Sequence, residues 1–99
     1  MKTQDRLSRE FVRARVTATL EDGTPVDPTT LQIELAVVPE GTRPAPADWR
    51  TAASLGSGIF GVLVGPGAVE LAPADYETWH RITDTTEQSV APFGRLRIT

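Results

Sequence analysis

The chain has 99 residues, of which 39% are hydrophobic and 23% are charged, and its formal net charge is −3. These values are typical of one globular domain, and they disfavour an intrinsically disordered chain and a strongly basic nucleic-acid binder. The chain contains no cysteine and one histidine, His80, so disulfides, thiolate nucleophiles and cysteine-ligated zinc are excluded.

Residues 1–9 are polar and show too little periodicity for a helix or a strand. Residues 1–15 carry five basic and two acidic residues, a net charge of +3, while residues 16–99 carry five basic and eleven acidic residues, a net charge of −6. We predict a basic N-terminal arm at 1–9 followed by a β-sandwich domain at 10–99. Arg6 and Arg9 of the arm are then candidates for docking on an acidic neighbour. A plain solvated terminus is the alternative.

Two strands are predicted in the first half of the chain. From Phe11 to Leu20, apolar and polar residues alternate, which is typical of a half-buried strand. The pair Asp22-Gly23 follows this strand and favours a turn. The same alternation predicts a strand at 31–38. Residues 39–48 hold three prolines and one glycine and are predicted to form an irregular loop.

The middle of the chain contains shorter predicted elements. Residues 49–53 are predicted to form a short strand, and residues 54–58 a turn. Residues 59–64 have the sequence IFGVLV and are apolar on both faces, which predicts a strand that is covered on both sides or lies against a partner. A break at 65–67 precedes a brief predicted strand at 68–71.

The last third of the chain contains two more predicted strands. In 76–83 two faces alternate: Tyr76, Thr78, His80 and Ile82 lie on one, and Glu77, Trp79, Arg81 and Thr83 on the other. Residues 94–99 form the last predicted strand, with Leu96 and Ile98 inward, and Pro92 marks a bulge or a sheet edge. Six or seven short strands with almost no helical periodicity predict an all-β sandwich or a small barrel.

The segment Leu71-Ala72-Pro73-Ala74-Asp75-Tyr76 resembles the tyrosine corner of immunoglobulin-like and fibronectin-like sandwiches. In that motif a Leu and a Pro precede a Tyr whose hydroxyl bonds back to nearby backbone, and the matching residues here are Leu71, Pro73 and Tyr76. The resemblance implies an immunoglobulin-like or fibronectin-like β-sandwich of six to seven short antiparallel strands. An antibody-type domain is excluded because there is no cysteine pair.

Distinctive motifs stand at both ends of the chain. The first is Leu7-Ser8-Arg9-Glu10-Phe11-Val12, and the others comprise Tyr76, Trp79, Arg81, Ile82, Thr83, Asp84, Gly94, Leu96, Ile98 and Thr99. Together they resemble small structural proteins of tailed actinobacterial phages. The resemblance covers the 39–58 loop poorly, and His80 stands where the family pattern has Val.

This resemblance implies a virion structural subunit that is assembled in the host cytoplasm, most often in the head-to-tail connector, or neck. The implied partners are other virion proteins, such as portal, adaptor, capsid or tail subunits. The implied assembly is a homo-oligomeric ring or several copies in the particle. A capsid-decorating or tail-associated subunit is the alternative within this class.

Alternation also predicts where an interface lies. If Tyr76 faces the core, Trp79 and Arg81 point to the outer face. Phe93, Arg95 and Arg97 of the adjoining final strand are predicted to project to the same face. Two aromatic residues with three arginines are typical of an interaction hot spot, so we predict an interface there. A self-contained stack of an arginine on the tryptophan is the alternative.

No residue pattern indicates catalysis, and we expect neither enzymatic activity nor a cofactor. His80 is predicted on the core face, without an orienting acid and a nucleophile. Asp84 and Glu87 are close enough in sequence for a calcium site, but no ligand-spaced loop accompanies them, so no metal is assigned. No apolar run approaches the ~20 residues of a membrane span, so we expect no membrane partner. A carbohydrate- or surface-adhesion module, with Trp79 stacking on a sugar, is the alternative from another class.

Overall fold

The computed structural model describes residues 2–16, 18–19, 25–26, 30–83 and 88–99. Most of these residues lie in strands, and the others form the connections between the strands. The strands are β1 (Lys2–Gln4), β2 (Glu10–Arg15), β3 (Ala18–Thr19), β4 (Pro25–Val26), β5 (Gln32–Pro39), β6 (Arg50–Thr51), β7 (Ala53–Gly56), β8 (Ile59–Val64), β9 (Ala74–Thr83) and β10 (Gln88–Ile98). One turn of 3-10 helix, Pro46–Asp48, lies between β5 and β6.

The strands form two main sheets. The large sheet has the order β1-β10-β9-β5-β6, and the small sheet has the order β2-β8-β7. Strands β3 and β4 pair with each other. Neighbouring strands run antiparallel, except that β1 runs parallel to β10. The predicted all-β sandwich is confirmed, and the finer immunoglobulin-like assignment stays a prediction.

The hydrophobic core lies between the two sheets. Strand β2 contributes Val12, Ala14 and Val16 from the strand and its end, and β8 contributes Phe60, Val62 and Val64. These side chains form three adjoining clusters with residues of the large sheet, namely Ile33, Leu35, Tyr76, Leu96 and Ile98. The alternation read from the sequence therefore identified the inward residues of β2, β5, β9 and the end of β10.

The N-terminal segment is part of the sandwich, so the predicted arm at 1–9 is wrong for the residues that form β1. Lys2–Gln4 lies beside Leu96–Ile98 in the large sheet. Gln4 is only 1% exposed, and its Nε2 donates hydrogen bonds to the carbonyls of Val64, at 2.9 Å, and Ser8, at 3.1 Å. Three polar residues give no hydrophobic period, so only the partner strand reveals this element.

Several predicted boundaries shift in the structure. Strand β2 ends at Arg15, and the predicted turn at Asp22-Gly23 lies outside the described residues. Residues 53–56, predicted mainly as a turn, form β7 against β8, and the turn contracts to Ser57 and Gly58, which both have positive φ. The brief strand predicted at 68–71 is reduced to one bridge between Val64 and Val69.

Strand β10 is longer than predicted and contains a bulge. It begins at Gln88, and its register against β9 shifts between Pro92 and Gly94. Pro92 pairs with Trp79 and Gly94 pairs with Thr78, so Phe93 is the extra residue. The bulge predicted at Pro92 is confirmed, and it reverses the direction in which the following side chains alternate.

Tyr76 has the hydrogen bond that the corner motif requires. Its hydroxyl donates to the carbonyl of Ala72 at 2.7 Å. The ring belongs to the core cluster of Val12, Val64, Leu96 and Ile98, and Leu71 packs against that cluster. The bond fixes the chain where it enters β9, and thereby sets which side chains of β9 point away from the core.

Candidate interaction surfaces

Trp79 lies on the outer face of the large sheet, as alternation predicts, but it is not exposed. It packs with Ala36, Val38 and Trp49 and is 8% exposed. The guanidinium carbon of Arg43 lies 5.2 Å from its ring centroid. The connection between β5 and β6 supplies both Trp49 and Arg43, so the chain covers its own tryptophan. The prediction of an exposed Trp79 is therefore wrong.

Arg81 is held by an internal ion pair on the same face. Its Nε and Nη2 donate to the two carboxylate oxygens of Glu34 at 2.9 and 2.7 Å. The guanidinium carbon also lies 4.7 Å from the ring centroid of Trp49. The hydrogen bonds from Arg81 to Glu34 raise the pKa of the guanidinium above its ordinary value. Both the charge and the planar face of Arg81 are thus used within the chain.

Arg95 and Arg97 project to the outer face, as predicted, and each has an acidic partner. Arg97 donates to the two oxygens of Asp75 at 2.8 and 3.3 Å, and Arg95 lies 3.4 Å from Glu40. The hydrogen bond from Arg97 holds the pKa of Asp75 below its ordinary value. The outer face of the last two strands is therefore paired internally, which matches the self-contained alternative more closely than a free hot spot.

Phe93 lies on the inner side of the large sheet, so its predicted outward position is wrong. The bulge places Phe93 beside Gly94, opposite the inward residue Thr78. The Phe93 ring stacks on His80 with a centroid distance of 5.9 Å and an interplanar angle of 24°. His80 is half-buried on the inner side, as its position in β9 predicts. Its Nδ1 is buried and has no hydrogen-bond partner among the described residues.

Arg6 and Arg9 lie at the surface, next to the end of the small sheet. The backbone N–H of Arg6 donates to the carbonyl of Thr99 at 2.9 Å, so the backbone at this position is anchored. Within the described part of the chain, neither side chain forms an ion pair. Leu7 between them is 74% exposed. The two arginines remain available for a partner, although they sit on a fixed segment rather than on an arm.

The outer face of the small sheet carries an apolar patch that the interface prediction missed. We call the patch of Phe11, Leu55, Ile59 and Leu63 the small-sheet patch. Phe11, Ile59 and Leu63 alternate with the core residues of β2 and β8, and Phe11 lies directly opposite Leu63. Leu55 is the extra residue where the register of β7 against β8 shifts. A Cβ at Gly61 would lie 2.8 Å from Leu55 Cδ1 and 3.0 Å from Phe11 Cδ1. The two side chains therefore meet over the glycine.

The sequence contained a signal for this patch in the run IFGVLV, which is apolar on both faces. Leu55 is 38% exposed, and the other three side chains are half-buried. Arg13 and Arg15 stand on the same face, opposite Gly61 and Ile59. Neither arginine forms an ion pair with any described residue. The guanidinium carbon of Arg13 lies 5.7 Å from the ring centroid of Phe11. The patch thus combines exposed apolar area with positive charge that has no acidic partner among the described residues.

The remaining chemistry is sparse in the part of the chain that the structure describes. Those residues contain no group of three or more His, Cys, Asp or Glu side chains that could hold a metal ion. Asp84 and Glu87, considered above for calcium, lie outside them. Within the same residues, no helix is long and apolar enough to cross a membrane.

Comparisons with known proteins do not add a family to these observations. No protein-family profile, no curated protein and no solved structure matches the chain.

Proposed function

We propose that the chain is a non-enzymatic structural subunit of a tailed-phage particle, at the head-to-tail connection. The observation that carries the proposal is the small-sheet patch. A two-layer antiparallel sandwich ordinarily turns polar side chains outward, whereas β8 turns Ile59 and Leu63 outward. An apolar outer face next to unpaired arginines suits a permanent neighbour with an apolar surface and acidic residues around it.

The motifs at the two ends of the chain support the phage assignment. These motifs resemble those of virion structural proteins, and such subunits act through contacts rather than through catalysis. The carbohydrate-binding alternative relied on an exposed Trp79, and no feature of the described surface now favours it. We assign the interface to the small sheet and not to the outer face of the last two strands. On that face Trp79 is covered by other side chains, and the three arginines are paired with acidic residues.

Two glutamate substitutions, at apolar residues that are equally exposed, test the proposal. Leu55 and Val90 are both 38% exposed, but Leu55 lies in the small-sheet patch and Val90 lies in β10, opposite Arg81. Leu55→Glu places a charge in the proposed contact, so we expect a folded protein that is not incorporated into particles. Val90→Glu is the control, and we expect it to be incorporated like the parent.

The measurement is protein identification in purified intact particles, together with circular dichroism of each purified variant. The copy number per particle separates a neck ring, with few copies, from a capsid-decorating subunit, with hundreds. Absence of the parent chain from intact particles would refute the phage assignment. Incorporation of Leu55→Glu at the parental level would refute the proposed contact surface.

A further inference from the structure

The small sheet has an open edge along β2. The large sheet has five strands and the small sheet three, and in the described residues no strand pairs with β2 on the side away from β8. The backbone N–H of Val16 donates to Gly58 at 2.8 Å, on the β8 side. Backbone groups alternate along a strand, so those of Phe11, Arg13 and Arg15 point to the open edge. Lys2 Nζ, 3.1 Å from the Phe11 carbonyl, bonds to one end of this edge.

A cavity lies beside this edge, between the two sheets. Its volume is about 410 Å³. Its lining includes Ala14 from β2, Val16 directly after β2, and His80, Ile82 and Phe93 from the large sheet. A second cavity of about 190 Å³ continues past Arg13 and Phe93 towards Lys2. One more strand beside β2 would place alternate side chains into this space, against the stacked rings of His80 and Phe93.

Charge at the edge selects the kind of strand that fits. The basic side chains at the two cavities are Lys2, Arg13 and Arg15, besides His80, and no carboxylate lines either cavity within the described residues. Arg95 borders the second cavity but projects to the outer face, where it pairs with Glu40. Arg13 and Arg15 point outward, so the outward residues of an added strand would lie beside them. Two copies of this chain joined edge to edge at β2 would bring like charges together, whereas acidic residues would pair with them.

A second open edge, along the first half of β10, is less suited to an added strand. From Gln88 to Gly94, β10 pairs only with β9 among the described strands. This stretch contains Pro92, which has no N–H to donate, and the bulge at Phe93. Proline and bulges are two devices by which proteins prevent pairing at a sheet edge. Strand β2 contains neither a proline nor a bulge, so its N–H groups can pair along the whole open edge.

We propose that β2 accepts an extended segment of a neighbouring protein as a fourth strand of the small sheet. This segment alternates acidic residues, beside Arg13 and Arg15, with apolar residues that enter the cavity. Main-chain hydrogen bonds supply affinity in this mode of recognition, and the pockets for alternate side chains supply specificity. The proposal relies on the proposed function only for the source of the segment, a neighbouring virion protein.

The test uses the full chain and a synthetic peptide of alternating valine and glutamate as the probe. Amide hydrogen exchange is measured by NMR for Val12, Arg13, Ala14 and Arg15. In the free protein we expect fast exchange at the two arginines and slow exchange at Val12 and Ala14. Addition of the peptide is expected to slow exchange at the two arginines by roughly tenfold or more, because their N–H groups gain partners.

Matched peptides and variants separate backbone pairing from simple charge attraction. A peptide with lysine in place of glutamate, and a glutamate peptide N-methylated at every residue so that neither of its edges can donate, are expected not to bind. The double variant Arg13→Glu, Arg15→Glu is expected to weaken binding of the glutamate peptide by roughly tenfold and to bind the lysine peptide instead. Arg50→Glu, a single charge reversal on the exposed strand β6, is the control for a change in net charge and should bind like the parent.

Several results would overturn the proposal. Slow exchange at Arg13 and Arg15 in the free monomer would mean that the chain closes its own edge, and the same result in a dimer would mean that a second copy does. Equal binding of the N-methylated peptide would exclude strand addition, and equal binding of the lysine peptide would refute the selection of acidic residues by Arg13 and Arg15. Failure of the peptide to bind while Leu55→Glu still blocks incorporation would refute strand addition alone. Binding of the peptide by a chain that is absent from particles would refute only the proposed function.

Discussion

Gln4→Ala tests whether the N-terminal segment is a structural strand or a dispensable arm. The Gln4 side chain is 1% exposed and donates two hydrogen bonds, to Val64 and Ser8. Each bond contributes about 1 kcal/mol net, and the lost methylene contributes about 0.8 kcal/mol. Removal of Oε1, which is buried without a partner, offsets part of this loss. We expect the free energy of unfolding to fall by about 2–3 kcal/mol.

Urea unfolding followed by tryptophan fluorescence measures this change, because Trp79 is buried and Trp49 is half-buried in the native fold. In a domain of this size, 2–3 kcal/mol lowers the melting temperature by roughly 10–20 °C. Thr3→Ala is the control, since Thr3 lies in the same strand but is exposed, and we expect a change within about 0.5 kcal/mol. If Gln4→Ala is as stable as Thr3→Ala, β1 does not contribute to the stability of the fold, and residues 1–9 are a dispensable arm, as the sequence predicts.

Three further predictions concern the corner, one glycine and one ion pair. Tyr76→Phe removes the hydrogen bond to Ala72 and should lower the free energy of unfolding by about 0.5–1.5 kcal/mol; an unchanged melting temperature would contradict the corner. Gly65→Ala should cost at least about 2 kcal/mol in urea unfolding, because Gly65 has φ +138° and a Cβ there would collide with the Ser8 carbonyl. Gly67→Ala, with φ +78° and open space around it, should cost less, and an equal cost would exclude the collision. The pKa of Asp75 is lowered in the folded state, so its stabilisation is complete above about pH 4 and is lost as pH falls through the folded pKa. The gap in unfolding free energy between parent and Asp75→Asn should therefore shrink between pH 7 and about pH 2, and a constant gap in urea titrations at the two pH values would refute the pairing with Arg97.

Alternation in the sequence was sufficient to locate β2, β5, β9 and the end of β10, with their inward residues. Leu35, Tyr76 and Leu96 are buried where the period of two places them. A half-buried strand with the opposite orientation would turn its apolar side chains to solvent, so only one orientation is stable. The corner at Tyr76 and the bulge at Pro92 were also predictable, since each depends on residues that are local in sequence. A segment as short as β1 has too few residues to show a period.

Whether a residue on a given face of a sheet is covered by other side chains was decided only by the tertiary structure. Alternation correctly turned Trp79 away from the core, but the side chains that cover it, Arg43 and Trp49, come from a proline-rich connection without any period. Phe93 shows a second limit of alternation. It is the extra residue of the bulge, so it projects to the inner side of the sheet, at the cavity beside His80, and not into the predicted interface. A period of two specifies the side on which a residue projects, whereas exposure depends on contacts between segments that are distant in sequence.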